Sequence, residues 1–336
     1  MCQLNINSSN LNPFQILSSE NNERYMGSTL LLSTKDNKYI YKTLKNDNIN
    51  ELIFYSSINR RHILRKYEII PRFIRFVTIV DSDKKSKKIY FNPIYLKTKL
   101  NKEPFNINRF GHLTAIEMEN FLNGYSSLSI IDLKLGTSWI GESKNDSIYN
   151  LRKVFFNIFQ GENLMDEVKH IFYKIECVSK KNEFIDDMFC KIKSLQKSIK
   201  QNYTINNTCQ FDIGIRIQGL ISEKITISRQ KGKELSSNET IKLISEFLKI
   251  SPRLVKLTKK KLKLLQYWLK KQTTYRFIAT SIVLAFDRFN VEKCDIRWLD
   301  FTHALKQTED KERDFLMNED RILELIEDIG IKTNHK

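Results

Sequence analysis

The sequence predicts a mixed α+β fold, in which a small β-rich part precedes a larger part containing both strands and helices. Short strands alternate with one helix over residues 14–120. Two later apolar strands, near 131–135 and 281–287, carry acidic side chains. Apolar residues recur at near-helical spacing over 147–201, which predicts two or three further helices. The chain of 336 residues is long enough for about two domains with separate cores.

The β-rich part begins with a predicted hairpin. Thr29–Ser33 and Lys38–Leu44 flank Lys35-Asp36-Asn37, a good turn sequence. A helix is predicted over 48–59, and strands are predicted at 73–80 and 88–95. The segment around Asn120–Gly124 then has the composition of a connector to the larger part.

The segment Ile131–Thr137 carries an acid and a base two residues apart in an apolar strand. Because side chains alternate along a strand, Asp132 and Lys134 must project from the same face, and the apolar residues between them face a core. Such a pair is either a structural ion pair or part of a catalytic site. The residues themselves leave both interpretations open.

A second acidic site follows the strand Ser281–Asp287. The segment Cys294–His303 is another hydrophobic strand that ends in Asp300, and an aromatic residue and His303 come after it. Residues at strand ends often face ligands. A strand-end Asp-Phe is also how kinases hold magnesium against nucleotide phosphates.

These segments and three others resemble, in the same order along the chain, the motifs of the inositol polyphosphate kinases. The matching segments are Tyr41-Lys42 with Glu51, Phe54 and Tyr55; Asp132–Thr137 with the preceding Glu119-Asn120; Gly214–Leu220; Gln272–Phe277 with Ser281 and Asp287; and Asp295–His303. The stretch Asp-Leu-Lys-Leu-Gly-Thr is most similar to the inositol hexakisphosphate kinases within that family.

The resemblance implies a bilobal kinase-like fold, related to the protein kinases and ATP-grasp enzymes. The expected N-lobe, 1–118, grips the nucleotide phosphates, and 119–125 forms the hinge. The expected C-lobe, 126–336, contains the catalytic strands and an extra helical segment, 142–209, that binds the inositol phosphate.

The resemblance also implies roles for residues that would bind ATP and Mg²⁺. Lys42 would grip nucleotide phosphates while Glu51 holds it in place. Asp300 would be both the magnesium ligand and a catalytic residue. The residues expected around the nucleotide are Lys42, Glu51, Glu119, Asn120, Phe121, Asp132 and Asp300.

Two roles remain open for Asp132, which would either orient the acceptor as a base or bond the ribose hydroxyls. Lys134 would stabilise charge on the transferring phosphoryl group and contact the substrate. The other candidate substrate ligands are Lys144, Arg152, Lys153 and His303. For the first three, a solvated helix face is the alternative, and His303 is otherwise a histidine packed behind Asp300.

The composition fits a polyanionic partner without identifying it. The formal charge is +17 and the pI is about 9.5. A kinase of phosphorylated inositols and a non-catalytic binder of RNA or phosphoinositides would both need such a surface. The sequence shows no RNP-type aromatic strand, zinc pattern or basic zipper, so no specific nucleic-acid partner is expected. The basic run Lys256–Lys271 also carries an apolar stripe, which favours a structural helix over a substrate rim or membrane contact.

The five cysteines show no C-x-x-C pairing, which favours reduced thiols. No secretory leader or membrane span is expected from the sequence. We therefore expect a soluble, monomeric intracellular protein, cytoplasmic or nuclear, that transfers the γ-phosphate of Mg-ATP to inositol hexakisphosphate. The alternatives are a multikinase or 3-kinase acting on lower inositol phosphates, and the non-catalytic polyanion binder.

Overall fold

The computed structural model describes residues 12–13, 31–34, 36–44, 49–83, 86–91, 112–136 and 200–306. Two large antiparallel sheets and a set of helices make up this part of the chain. The predicted α+β fold is therefore confirmed. The segment 147–199, where extra helices were predicted, lies outside the described residues, whereas residues 200–206 just after it are helical.

The first sheet has six strands in the order β1-β2-β3-β6-β4-β5. Its strands are β1 (Asn12–Pro13), β2 (Leu31–Ser33), β3 (Tyr39–Thr43), β4 (Phe73–Asp83), β5 (Ser86–Phe91) and β6 (His112–Glu119). The predicted hairpin is confirmed, because β2 pairs with β3 in antiparallel register. Asp36 shapes its turn by accepting hydrogen bonds from the Thr34 hydroxyl at 2.6 Å and the Lys38 N–H at 3.1 Å.

The second sheet has five strands in the order β12-β11-β7-β8-β9. Its strands are β7 (Leu128–Leu135), β8 (Ile215–Ile221), β9 (Thr226–Ile227), β11 (Ser281–Asp287) and β12 (Cys294–Leu299); β10 (Tyr275–Phe277) and β13 (Ala304–Lys306) form a separate pair. The acid-bearing strands β7 and β12 both pair with β11. The sheet therefore holds the two predicted acidic segments one strand apart.

The helices are α1 (Ile49–Ser57), α2 (Ile63–Lys66), α3 (Cys209–Ile213), α4 (Arg229–Glu234), α5 (Ser237–Lys249) and α6 (Pro252–Lys271). Local sequence fixes where the longest two begin. Ser236 and Glu239 form a capping box at the start of α5, and Ser251 caps α6 ahead of a proline in its first turn. None of the helices in the described residues is long and apolar enough to cross a membrane.

Helix α6 confirms the helix predicted for the basic run. Its apolar stripe is buried, and most of its lysines are exposed or half-buried. Lys261 is the exception, since its ammonium donates to the Asp295 carboxylate and the Glu68 carbonyl, both at 2.8 Å. Burial, with the nearby Arg297 adding to it, lowers the pKa of Lys261. This lysine therefore joins α6 to β12 rather than presenting charge to solvent.

Aromatic side chains hold α1 against the strands of the second sheet. Phe54 of α1 is completely buried, and its ring centre lies 4.4 Å from that of Phe301 and 5.2 Å from that of Phe277. Trp298 of β12 contacts the same cluster, 4.7 Å from Phe301. Close-packed edge and tilted contacts of this kind add to the stability that burial provides.

We expect Phe54→Ala to lower the free energy of unfolding by about 3–5 kcal/mol, because it removes a large buried ring and leaves a cavity. Urea denaturation of the purified protein measures this change. Phe289→Ala is the matched control, since that ring is 84% exposed and should contribute little. Equal losses for the two variants would contradict the proposed role of the aromatic cluster.

Candidate active site

The candidate site is built around a lysine on β3 and a glutamate on α1. The Lys42 ammonium lies 2.8 and 2.7 Å from the two carboxylate oxygens of Glu51. The Glu51 side chain is 1% exposed and that of Lys42 is 12% exposed. Glu51 and the buried Phe54 and Tyr55 lie three and four residues apart, so the same face of α1 supplies the carboxylate and the rings that anchor the helix.

Asp300 joins this pair to the second sheet. Its two carboxylate oxygens lie 3.5 Å from the Lys42 ammonium and 2.6 Å from the Lys134 ammonium, respectively. The Thr302 hydroxyl donates to Asp300 at 3.2 Å. The Asp300 side chain is 39% exposed, which leaves part of the carboxylate open to a ligand.

The backbone around Asp300 explains how its carboxylate reaches both lysines. Strand β12 ends at Leu299, and Asp300 adopts a left-handed conformation with a φ of 69°. Aspartate tolerates this region better than most side chains. The next residue, Phe301, is fully buried against Phe54, so the turn is fixed on its far side. A strained turn held by a buried ring thus orients the carboxylate.

Strand register places Lys134 beside this turn. Lys134 pairs with Ser281 of β11, which pairs in turn with Leu299 at the end of β12. The side chains of Lys134 and Asp300 therefore meet at one end of the sheet. The ion pair of Lys134 is with Asp300 and not with its near neighbour Asp132. The interpretation of Asp132 and Lys134 as an isolated structural ion pair is thus not what the structure shows.

The charges of the site depend on one another. Burial alone would raise the pKa of Asp300, but the Lys134 and Lys42 ammonium groups outweigh it and hold the pKa of Asp300 well below its usual range. Burial likewise acts to lower the pKa of Lys42, and Glu51 with Asp300 reverses this and raises it. Burial raises the pKa of Glu51, although Lys42 partly offsets the effect.

Asp132 differs from the other acids because it is buried without a full set of partners. Its side chain is 8% exposed, and within the described part of the chain its Oδ1 accepts no hydrogen bond. Burial raises the pKa of Asp132 to about 6, against the opposing effect of the nearby Lys134. This carboxylate oxygen is buried and lacks a donor among the described residues, which is rare for a buried polar atom and calls for a structural or functional reason.

The connector after β6 joins that strand of the first sheet to β7 of the second sheet. The Glu119 N–H donates to the Arg72 carbonyl at 3.0 Å, and the Glu119 side chain is exposed. The Asn120 side chain donates to the Asn37 carbonyl at 2.7 Å, so it links the connector to the β2–β3 turn. Phe121 is half-buried, with the Arg297 guanidinium 5.5 Å from its ring centre. The side chain of Asn120 is thus engaged within the protein, and its role in binding the nucleotide stays a prediction.

Of the predicted substrate ligands other than Lys134, only His303 lies in the part of the chain that the structure describes. Lys144, Arg152 and Lys153 lie outside the described residues. His303 is half-buried three residues after Asp300, and its positive form contributes to the low pKa of that acid. Its backbone carbonyl accepts a hydrogen bond from the Ile278 N–H at 3.2 Å.

Sequence reasoning assigned no role to the buried arginine on β8, Arg216, which is paired in register with Lys134. Arg216 is 2% exposed, and its Nε donates to the Gln210 side chain, which in turn donates to the Gly136 carbonyl at 2.6 Å. Burial, together with Arg229, lowers the pKa of Arg216 to about 10. Arg216 lies within the Gly214–Leu220 motif, but only the strand register shows that it adjoins Lys134.

Asp300 is the residue in this cluster best suited to a divalent cation. No group of three or more histidine, cysteine, aspartate or glutamate side chains within the described ranges could hold a metal. Magnesium needs no such cage, because it binds through one or two carboxylates together with substrate phosphates and water. A partly exposed carboxylate with a low pKa, next to two lysines that can bind phosphate, fits that mode of binding.

This combination of a lysine–glutamate pair, a strand-end aspartate and a second lysine is suited to phosphoryl transfer. A family model described as "Inositol polyphosphate kinase" matches residues 115–327 of the chain. The chain therefore belongs to the inositol polyphosphate kinase family. It is an enzyme of that class, a phosphotransferase. The match includes Asp132, Lys134 and Asp300, whereas Lys42 and Glu51 precede it.

Two solved structures are similar to the chain at low sequence identity. The inositol phosphate multikinase Ipk2 from S. cerevisiae, in complex with ADP and Mn²⁺, is 15% identical, with 87% of this chain and 99% of that chain covered and a TM-score of 0.47. A second inositol phosphate multikinase structure is 17% identical, covering 63% of this chain and 84% of the other at a TM-score of 0.41. No match was found among curated protein sequences.

We expect the stability difference between Asp132→Asn and the wild type to depend on pH. Because the folded-state pKa of about 6 lies above the unfolded value, Asp132 reduces stability as pH rises from about 4 to about 6. The asparagine variant lacks this loss, so it should gain about 2 kcal/mol relative to the wild type between pH 4 and pH 7.

Urea unfolding at several pH values measures this difference. Ser129→Ala, also buried on β7, is the control, since it removes no titratable group and its difference from the wild type should not vary with pH. A difference for Asp132→Asn that stays constant from pH 4 to pH 7 would contradict the raised pKa.

Proposed function

We propose that the protein transfers the γ-phosphate of Mg-ATP to a highly phosphorylated inositol, with inositol hexakisphosphate as acceptor and a diphosphoinositol as product. The observation that carries the reaction is the Asp300 carboxylate held between the Lys42 and Lys134 ammonium groups. The choice of acceptor rests on the Asp-Leu-Lys-Leu-Gly-Thr stretch that begins at Asp132. The principal alternative is a multikinase or 3-kinase that acts on lower inositol phosphates.

The nucleotide would lie between the two sheets. We propose that Lys42 binds the nucleotide phosphates, because its ion pair with Glu51 holds its ammonium beside Asp300. We assign the adenine to the connector after β6, whose backbone at Glu119 and Phe121 follows directly from a strand of the first sheet. We place the lobe boundaries at 1–118, 119–125 and 126–336, since β6 ends at Glu119 and β7 begins at Leu128.

Asp300 would bind Mg²⁺ together with the nucleotide phosphates. The bound ion would neutralise charge on those phosphates and on the group being transferred. The low pKa of Asp300 keeps its carboxylate ionised at every physiological pH, which a magnesium ligand requires. Lys42 and Lys134 would exchange part of their contact with Asp300 for contact with phosphate oxygens.

Lys134 would lie between donor and acceptor. Phosphoryl transfer needs mainly positioning and stabilisation of charge, and an ammonium at this place supplies both. An acceptor that is already a phosphate needs no strong base. In that case we assign Asp132 to a ribose hydroxyl, which would donate to the carboxylate oxygen that lacks a donor in the described residues. With a hydroxyl acceptor, Asp132 would instead be the base.

The substrate phosphates would be met by Lys134 and His303, and by Lys144, Arg152 and Lys153 of the segment 142–209. That segment contains 11 of the 56 lysines and arginines of the chain. Its role as the substrate-binding segment remains a prediction.

We expect Mg-ATP to raise the melting temperature of the wild-type protein through binding linkage. Asp300→Asn should lose most of that increase, because it removes the carboxylate proposed to bind the metal. Differential scanning fluorimetry with Mg-ATP, and with ATP and EDTA, measures the effect. Asp212→Asn, an exposed acid on α3, is the control and should keep the full increase. An unchanged increase in Asp300→Asn would contradict the assignment.

The acceptor is tested by incubating the protein with Mg-ATP and, separately, the tris-, tetrakis-, pentakis- and hexakisphosphates of inositol. Anion-exchange chromatography resolves the products, and Lys134→Ala should lower turnover by about 100-fold or more, as loss of a charged transition-state contact does. A diphosphoinositol formed from the hexakisphosphate is the expected result. Turnover restricted to lower phosphates would support the alternative, and no turnover would favour a non-catalytic polyanion binder.

A further inference from the structure

A basic pocket at the connector has a lining that includes none of Lys42, Lys134 and Asp300. Its volume is about 320 Å³. It is lined by the loop and short helix that follow α1, by the end of β12 and by the connector itself. The charged lining residues are Arg60, Arg65, Lys66, Glu68, Arg72, Glu119 and Arg297. The lining contains none of the catalytic candidates Asp132, Lys134 and Asp300, but it includes Glu119 and Phe121, whose backbone is assigned above to the adenine.

Two of the five cations are held in fixed positions by the protein. Arg297 is 7% exposed and donates to the Asp295 carboxylate at 2.7 Å and to the Glu68 carboxylate at 3.0 Å. Arg65 is half-buried and donates to the Phe73 carbonyl at 3.1 Å. These contacts orient two guanidinium groups at the pocket wall before any ligand arrives, which lowers the entropy lost on binding.

The other three cations have no counter-charge among the residues that the structure describes. Arg60, Lys66 and Arg72 are exposed and form no ion pair with any residue that the structure describes. Burial lowers the pKa of Arg65, and the positive charges of Arg72 and Arg60 lower it further. Since Glu68 is already paired with Arg297, Glu119 is the one lining carboxylate without such a partner among the described residues.

We propose that this pocket binds a compact, multiply phosphorylated small molecule at a site distinct from the Lys42–Asp300–Lys134 cluster. The lining favours phosphate because four of its five cations are arginines, whose planar donors match phosphate oxygens in pairs. A concave pocket of this size favours a small anion over an extended polymer. The shared chemistry is a cluster of phosphates, borne either on an inositol ring or on a linear chain.

Isothermal titration calorimetry without nucleotide or metal tests the proposal, with sodium tripolyphosphate in one arm and inositol hexakisphosphate in the other. Four proteins are compared: the wild type, Arg60→Ala/Arg72→Ala, Arg61→Ala/Lys270→Ala and Lys42→Ala/Lys134→Ala. Arg61 and Lys270 are exposed and do not line the pocket, so their variant is the matched control for lost positive charge.

We expect Arg60→Ala/Arg72→Ala to weaken one binding event by about tenfold or more, as loss of charge-assisted contacts does. The matched control should change that event by less than about twofold, and it should persist in Lys42→Ala/Lys134→Ala. Loss in one arm or both supports the site and identifies whether ring-borne or linear phosphates bind there. Equal weakening of binding in Arg60→Ala/Arg72→Ala and in the matched control Arg61→Ala/Lys270→Ala would overturn the proposal. Loss of all binding in Lys42→Ala/Lys134→Ala would also overturn it. Failure of the proposed reaction would leave this result unaffected, because the experiment contains no ATP.

Discussion

The contact of one carboxylate with two lysines connects the main parts of this enzyme. Asp300 lies between Lys42 of the first sheet and Lys134 of the second, so the cluster proposed as the reaction centre forms only when both sheets are correctly placed. Each of these lysines contacts an acid that lies more than a hundred residues away along the chain. A surface ion pair would contribute little, but the Lys42 and Lys134 side chains are only 12% and 14% exposed. A charge that is largely buried needs a partner of opposite charge, and the partly exposed Asp300 supplies it for both lysines.

The packing around Asp300 serves that contact. Phe301 is buried against Phe54 of α1, and the same helix supplies Glu51, which holds Lys42. A single aromatic contact therefore joins the turn that bears the proposed metal ligand to the helix that positions the lysine proposed to bind phosphate. Catalysis of phosphoryl transfer requires mainly such positioning, so core packing and chemistry are closely coupled in this part of the molecule.

Excess positive charge is used in more than one way. On α6 most lysines face water, whereas Lys261 is buried and ties that helix to β12. At the connector, Arg60 and Arg72 instead line a concave pocket without counter-charges among the described residues. The net charge of +17 therefore does not describe a single binding surface. Different basic residues have different roles: Lys261 is structural, Lys134 has a proposed catalytic role, and the pocket arginines have a proposed role in binding phosphates.

The sequence by itself determined the strands and helices with strong periodicity, the mixed fold and the residue types of the site. Alternation alone placed Asp132 and Lys134 on one face of β7, and helical spacing alone predicted α6. Only the tertiary structure decided which partner Lys134 takes, that Asp132 is buried with an oxygen lacking a donor, and that Arg216 adjoins Lys134. The physical reason is that periodicity is local, whereas ion pairing and desolvation depend on strand register and on a left-handed turn at Asp300, which bring together residues more than a hundred positions apart.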